Sequence, residues 1–187
     1  MWMQHNKVKN LAIAIQPLDG LLIGSGETFS FWRRVGRPTK RKGFVEGMEL
    51  SRGEASSGIG GGICQIANVL HWLVLHSPLV VKERSTHSFG CSVFYNYVDF
   101  RFYNPTPTTF QLQLWLSERF LEAELRASEQ ISFTYSVLEK DHAFERVGDQ
   151  VFRRNELWRR ILDRRSGAHV RDEFIKRNRV LVKYKID

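Results

Sequence analysis

The sequence predicts an α+β fold in which a cysteine-bearing helix packs on a largely antiparallel sheet. First, the apolar run from Ile66 to Leu75 predicts a helix over Ile63–Leu75, and Ser77-Pro78 ends it. Second, several segments rich in β-branched and aromatic residues follow, separated by turn-forming residues. Third, apolar residues make up 42% of the 187 residues, which is enough for a packed core.

A second helix is predicted before the cysteine. Asn6 is a candidate N-cap for a helix over Lys7–Gln16, which Pro17 and Gly20 end. The predicted apolar face of this helix carries Val8, Leu11, Ala12 and Ile15. Short extended pieces are expected at Leu21–Ile23, Thr28–Trp32 and Phe44–Leu50, with Gly36–Gly58 otherwise irregular.

The rest of the chain has the pattern of strands. Those expected after the cysteine helix are Val80–Arg84, Ser92–Phe102, Thr109–Leu116, Leu121–Leu125 and Ile131–Tyr135. The sequence Asn104-Pro105-Thr106-Pro107 is interpreted as a turn between two of these strands, with Asn104 bonding the backbone. The end of the chain is predicted to form a hairpin with arms Gln150–Asp163 and His169–Ile175, joined near Ser166-Gly167, and then a final strand, Val180–Tyr184.

The net charge of +8 lies almost entirely at the C-terminal end. From Arg146 to Asp187 there are thirteen Lys/Arg and six Asp/Glu, a balance of +7. The arginines alternate with Val, Phe, Leu, Trp and Ile, which is typical of the outer face of half-buried strands. We therefore expect these strands to complete the sheet and cover the core. No nucleic-acid-binding motif is present, and nucleic acid is not an expected partner.

Cysteine content and hydropathy indicate the cellular compartment in which the chain is expected. The chain has two cysteines, Cys64 and Cys91. Two cysteines do not make a disulfide framework, and such a low content suits a reducing environment. A disulfide between Cys64 and Cys91 remains an alternative. No apolar run approaches the roughly 20 residues of a membrane-spanning helix. The first residues do not resemble a signal peptide. The chain as given is expected to be soluble and cytoplasmic, with an unknown oligomeric state.

Cys64 is the leading candidate for a reactive side chain. It follows the glycine-rich run Gly58-Ile59-Gly60-Gly61-Gly62-Ile63 and begins the apolar helix. A helix N-terminus has unpaired backbone N–H groups and positive dipole potential, both of which favour a thiolate, the nucleophilic form. The glycines allow a substrate or another backbone to approach closely, and nearby N–H groups could hold an oxyanion. The alternative is a small core cysteine beside a turn.

A histidine and an acid follow Cys64 in the order found in papain-like and transglutaminase-like enzymes. His87 lies just past one predicted strand, and Asp99 lies on the next. In such sites the histidine takes the thiol proton and the carboxylate orients the imidazole. A metal site built from Cys64, His87 and Cys91 is an alternative, but the spacing is not that of a zinc motif. We expect no metal and no cofactor.

Four motifs in this chain resemble the VanW-domain family, in the family's order over roughly residues 5–120. They are Gly26-Glu27-Thr28-Phe29-Ser30-Phe31 (similar to "PGETFSFN"), Gly60-Gly61-Gly62-Ile63-Cys64-Gln65 ("GGGICQ"), Glu83-Arg84-Ser85-Thr86-His87-Ser88 ("ERxxHS") and Asp99-Phe100-Arg101-Phe102-Tyr103-Asn104-Pro105-Thr106 ("DLKFRNNT"). The resemblance implies a VanW-like core over residues 1–120. Residues 121–187 are then a basic, β-rich extension packed on that core.

The resemblance also implies a link to the bacterial cell wall and to glycopeptide resistance. Some relatives are associated with L,D-transpeptidase activity on peptidoglycan, using the cysteine of the "GGGICQ" motif. Carried over by position, Cys64 is the nucleophile and His87 its partner. Asp99 matches an acidic position, and its role as the orienting carboxylate is our inference. The implied partner is a peptidoglycan peptide or a wall precursor.

Four further residues are candidates for substrate binding. Gly61 and Gly62 border the nucleophile, and Gln65 could polarise an oxyanion or simply begin the helix. Arg84 could receive a substrate carboxylate or pair with a neighbouring acid. Two functions stay open: a cysteine acyltransferase of the L,D-transpeptidase type, favoured by Cys64 and His87, and a non-catalytic accessory protein. Members of the resembled family usually have a longer segment between the "HS" of the third motif and the strand that carries the acid. The shorter segment here and the lack of an export signal favour the accessory role.

Overall fold

The computed structural model describes residues 2–51, 54–84 and 98–182. Within this part the chain is an α+β protein whose strand pairs are all antiparallel, as the sequence predicts. It has two compact units, Met1–Val74 with Pro78–Gln130, and Leu75–Ser77 with Ile131–Asp187. The packing of the extension on the core stays a prediction.

The helices of the first unit are α1 (Trp2–Ile15), α2 (Phe31–Val35) and α3 (Cys64–Leu75), with a short 3-10 turn at Lys40–Lys42. The predicted cap of the first helix is wrong, because α1 begins earlier. Asn6 lies inside it and donates a hydrogen bond to the Glu46 carbonyl at 2.7 Å.

The buried face of α1 is also rotated from the predicted one. Leu11 and Ile15 are buried as expected, but Val8 is 53% exposed and Ala12 is exposed. The reason is Asn10, which is fully buried and donates to backbone carbonyl oxygens of two other segments. The buried face of α1 is thus rotated towards Asn10, a polar residue that binds the backbone, and away from Val8.

The strands of the first unit form three small sheets. The first has the order β1-β7-β8, from Leu22–Ile23, Phe110–Leu116 and Leu121–Ala127. The second has the order β2-β6-β5, from Thr28–Ser30, Arg101–Tyr103 and Val80–Glu83. The third pairs β3 (Glu46–Ser51) with β4 (Glu54–Ile59). The fully buried side chains Phe31, Phe100, Phe102 and Phe110 contribute to the core of this unit.

The predicted turn at Asn104 joins two different sheets, since β6 and β7 do not pair with each other. Asn104 is completely buried, and its amide donates to the carbonyls of Ile23, Gly24 and Thr108 at 3.2, 3.0 and 2.8 Å. Its carbonyl oxygen accepts from the N–H and hydroxyl of Thr106. The predicted backbone-bonding role of Asn104 is confirmed, and this side chain holds the crossing in place.

The second unit is a sheet of its own, built from β9 (Phe133–Val147), β10 (Gln150–Asp163) and β11 (His169–Leu181) in the order β11-β10-β9. The predicted hairpin is confirmed, with both arms starting at the expected residues. Val180 and Leu181 continue the second arm because they still pair with β10. In the described residues these strands pair only with each other, so the expectation that they complete the first unit's sheet is wrong.

One face of this sheet carries a network of charged side chains centred on Asp172. Its carboxylate accepts hydrogen bonds from Arg160 at 3.1 and 3.2 Å and from Lys140 at 2.9 Å, and it lies 3.0 Å from the Nε2 atom of His169. Arg160 first, and then Lys140 and His169, hold the pKa of Asp172 far below its ordinary value. The basic residues of the extension thus have acidic partners within their own sheet.

This network predicts acid sensitivity of the second unit. Because the folded pKa of Asp172 is depressed, its contribution to stability is present above the ordinary value of 3.8 and is lost as the pH falls below it. We expect Asp172→Asn to lower the thermal midpoint at pH 7 and to flatten its decline between about pH 4 and pH 2. Circular dichroism melts across this range measure both effects. The exposed Asp149→Asn is the matched control, and an equal change in the two variants would contradict the prediction.

Candidate active site around Cys64

Cys64 is the first residue of α3, as the sequence predicts, and carries a half-buried thiol. The turn Gly60–Gly62 immediately precedes the start of this helix, and Gly60 and Gly62 have φ angles of 86° and 96°. Residues other than glycine rarely adopt this left-handed backbone conformation, which explains why glycine occupies both positions. The thiol therefore lies at the N-terminus of a twelve-residue helix, in contact with solvent on part of its surface.

The middle glycine is required for a different reason. A Cβ atom on Gly61 would lie 2.1 Å from the carbonyl carbon of Gly47 in β3. Asn10 fixes this contact, donating to the carbonyls of Gly61 and Val45 at 3.0 Å each and accepting from the Val45 N–H at 2.9 Å. The close approach that Gly61 permits is therefore to the protein's own backbone. Its role in substrate binding stays a prediction.

Most backbone N–H groups of this turn are already used. Those donating to backbone carbonyl oxygens are Gly60, Gly61, Ile63 and Gln65. The N–H of Gly62 donates to no group in the described part of the chain, although Gly62 is buried. A buried donor without an acceptor is costly, which makes Gly62 the N–H best placed to receive a ligand oxygen beside Cys64.

Two side-chain oxygens next to Cys64 also lack partners. The Oε1 atom of Gln65 and the Oδ1 atom of Asn68 are buried and accept no hydrogen bond within the described residues. Residues three apart lie on one face of a helix, so the two amides are neighbours. Asn68 was not predicted from the sequence, because a polar residue within an apolar helix is ordinarily assigned to the solvent-facing side. Its position three residues after Gln65 is the only available signal.

His71, further along α3, lies close to Arg84, which follows β5. The Nε2 atom of His71 is 3.5 Å from Arg84 Nη1, and its ring packs edge-on against Phe100 with centroids 5.8 Å apart. His71 is buried, in keeping with a packing role. A substrate-binding role for Arg84 stays a prediction.

Asp99 stabilises the start of α2. Its Oδ2 atom accepts from the Ser30 hydroxyl at 2.5 Å, and its Oδ1 atom accepts from the N–H of Trp32 at 3.0 Å and of Phe100 at 2.8 Å. A carboxylate in this place satisfies N–H groups that a helix start leaves unpaired. The motif segments Gly26–Phe31 and Asp99–Thr106 are thus joined by the same carboxylate.

His87 and Cys91 lie outside the described residues. The contact of His87 with Cys64, its orientation by Asp99, and both alternatives that involve Cys91 therefore stay predictions. Among the residues described, no group of three or more His, Cys, Asp and Glu side chains could hold a metal ion.

The family described as VanW like protein matches residues 6–126, more than half of the chain. The chain belongs to the VanW family. Its matched region ends close to Gln130, the last residue of the first compact unit, so the region shared with the family is essentially that unit. The resemblance carried by the four motifs is confirmed.

Two curated proteins are similar in sequence to this chain. The vancomycin B-type resistance protein VanW of Enterococcus faecalis (strain ATCC 700802 / V583) is 32% identical over 148 residues, covering 72% of this chain and 54% of that protein. The uncharacterized protein YoaR of Bacillus subtilis (strain 168) is 34% identical over 79 residues, covering 42% of this chain and 26% of that protein. The chain thus spans about half the first relative and a quarter of the second. No solved structure matches it significantly.

The part of the chain that the structure describes has no helix long and apolar enough to cross a membrane. The longest helix there, α1, has 14 residues, and α3 has 12.

Proposed function

We propose that this VanW-family protein acts in bacterial glycopeptide resistance as a cysteine acyltransferase of the L,D-transpeptidase type. Its substrate would be a peptidoglycan peptide, and its intermediate a thioester on Cys64. The observation that carries the proposal is the half-buried Cys64 at the first residue of α3. One donor and two acceptors close to it in sequence lack partners in the described part of the chain. The link to resistance rests on the name of the Enterococcus relative.

The reaction has two balanced steps. The Cys64 thiolate attacks an amide carbonyl carbon of the donor peptide, a C–S bond forms, and the C–N bond breaks as the leaving amine takes a proton. An acceptor amine or water then attacks the thioester, and the thiol is regenerated with its proton. His87 would take the thiol proton and return it to the leaving amine, with Asp99 orienting the imidazole.

The partnerless groups have defined places in this scheme. The Gly62 N–H would stabilise the oxyanion of each tetrahedral intermediate, and such a donor contributes about 10²–10³ in rate. The amide oxygens of Gln65 and Asn68 are covered in this structure, and they would accept hydrogen bonds from N–H groups of the peptide once the groups that cover them move aside. Each is buried without a partner among the described residues, which costs about 1–3 kcal/mol that a bound peptide would recover.

Trapping of the thioester tests the proposal. The full chain is incubated with a peptidoglycan tetrapeptide, and its intact mass is measured before and after treatment with hydroxylamine, which cleaves thioesters. We expect an acyl adduct that hydroxylamine removes, retained in Cys91→Ser and absent in Cys64→Ser. A folded wild-type protein that gives no adduct, or an adduct that survives Cys64→Ser, would contradict it.

Asn68 offers a second test, because its substrate-binding role and a structural role predict opposite changes in stability. Asn68 is half-buried, and its buried Oδ1 atom accepts no hydrogen bond in the described part of the chain. Replacing Asn68 by leucine, which has a similar shape, should raise the free energy of unfolding by about 1 kcal/mol. The same variant should form less adduct. Urea unfolding and intact mass measure the two quantities. A loss of stability in Asn68→Leu would argue that the amide supports the fold instead.

The alternative is a non-catalytic protein that binds a wall precursor or a protein partner. One observation favours it: both oxygens of Asp99 already accept hydrogen bonds that hold α2. A carboxylate used in this way has less capacity to orient a histidine. Binding of the tetrapeptide without adduct formation, unchanged in Cys64→Ser, is the result expected of this alternative.

A further inference from the structure

A pocket of about 440 Å³ in the first unit lies beside two short strands and α2. The residues lining it include Leu22, Ile23, Glu27, Thr28, Arg33 and Arg34. It therefore combines apolar surface, backbone of two strands and three charged side chains. This volume suits a small ligand or the end of a peptide.

Both strands that line the pocket are edge strands. β1 is the end of the sheet β1-β7-β8, and β2 is the end of the sheet β2-β6-β5. In the part of the chain that the structure describes, each has one side without a neighbouring strand, and Leu22 in β1 is 58% exposed. The open N–H and C=O groups of an edge strand can pair with an extended peptide.

Two guanidinium groups provide charge at this pocket. Arg33 and Arg34 are exposed side chains on α2, and in the described part of the chain neither forms an ion pair or a side-chain hydrogen bond. Their backbone is held firmly, since the Arg33 N–H donates to the Ser30 hydroxyl at 3.1 Å and Asp99 caps the same helix. The ordered backbone places both arginines at the pocket, and the planar guanidinium group matches the geometry of a carboxylate.

Glu27 limits the negative charge of the ligand that the pocket can bind. Its Oε2 atom accepts a hydrogen bond from the Gly24 N–H at 2.8 Å, which keeps the carboxylate at the pocket wall. Two guanidinium groups and one carboxylate leave a net charge of +1. The pocket is therefore suited to one carboxylate rather than to a dianion such as phosphate.

We propose that this pocket binds the C-terminal carboxylate of a short extended peptide, whose backbone pairs with the edge of β1 or β2. Arg33 and Arg34 bind the carboxylate, and the apolar wall contacts the last side chain. The proposal assigns a binding site that does not depend on Cys64. It holds whether the protein is an acyltransferase or a non-catalytic binder.

Titration of the full chain with N-acetyl-trialanine and with its C-terminal amide tests the site. We expect the free acid to bind at least about tenfold more tightly than the amide, which corresponds to about 1.4 kcal/mol. Arg33→Gln/Arg34→Gln should weaken binding of the acid by a similar factor and leave binding of the amide unchanged. Arg41→Gln removes the same kind of charge outside the pocket and should change neither.

Backbone NMR adds a readout for the edge pairing. The amide signals of Leu22 and Thr28 should shift on addition of the acid, and the same shifts should occur in Cys64→Ser. Three results would overturn the proposal: no binding of the acid up to about 10 mM, equal binding of acid and amide, or equal losses in Arg41→Gln and the double variant. Cys64→Ser leaves this pocket intact. A failure of the peptide-binding proposal can therefore be distinguished from a failure of the proposed catalysis.

Discussion

Replacing Gly61 by alanine should destabilise the first unit by about 3 kcal/mol or more, the upper end of overpacking costs. The new Cβ atom would lie 2.1 Å from the carbonyl carbon and 2.2 Å from the carbonyl oxygen of Gly47, both backbone atoms. Neither can move without separating β3 from the turn before Cys64. Urea unfolding followed by tryptophan fluorescence measures the loss.

Gly20→Ala is the matched control for this substitution. Gly20 also lies in the first unit and has a φ angle of 75°, and no atom lies within 4 Å of the position that an alanine methyl would occupy there. Its replacement should cost about 1–2 kcal/mol from the left-handed backbone alone. If Gly61→Ala were no less stable than Gly20→Ala, the close contact between Gly61 and Gly47 could not be correct.

Asn104→Ala should have a comparable effect, a loss of about 3–5 kcal/mol. The change removes a completely buried amide and leaves the carbonyls of Ile23, Gly24 and Thr108 without this donor. Unsatisfied buried groups are costly, and these three lie at the end of β1, just after it, and in the connection that precedes β7. Chemical unfolding of the purified variant measures the effect.

Thr106→Val provides the comparison for Asn104. It removes one hydroxyl that donates to the Asn104 oxygen at 2.7 Å and keeps the amide with its three acceptors. We expect a loss of about 1 kcal/mol. Equal losses for the two variants would show that Asn104 does not organise the crossing between the sheets.

The cysteine helix and the terminal hairpin could be predicted because their signals are local. The glycine run followed by an apolar run marks the start of α3. The alternation in β10 and the turn at Ser166-Gly167 mark the hairpin, whose arms begin where expected. In both cases residues close in sequence determine the structure.

Other elements depend on contacts distant in sequence and could not be predicted. Phe31 and Trp32 have high strand propensity, yet they begin α2 because Asp99, some 67 residues later, binds the helix start. β4 was missed because Glu54–Ile59 has neither alternation nor β-branched residues before its end, and it forms only as the partner of β3.

The same distinction applies to the candidate site. The position of Cys64 follows from the local pattern. The packing of Gly61 against β3, in contrast, depends on Gly47 and Asn10, which come from distant segments. The missing partners of Gly62, Gln65 and Asn68 among the described residues depend on packing, which the local sequence pattern does not determine. Arginine side chains beside two edge strands could likewise be recognised only once the sheet orders were known.

Alkylation of Cys64 tests the central claim most directly. Iodoacetamide is added to the folded protein near neutral pH, and the modification rate of each cysteine is followed by peptide mass spectrometry against glutathione as a reference thiol. We predict that Cys64 reacts several times faster than glutathione and that His87→Gln lowers its rate towards the reference, with the fold retained. A Cys64 that reacts more slowly than glutathione in the folded wild-type protein would contradict its assignment as the nucleophile.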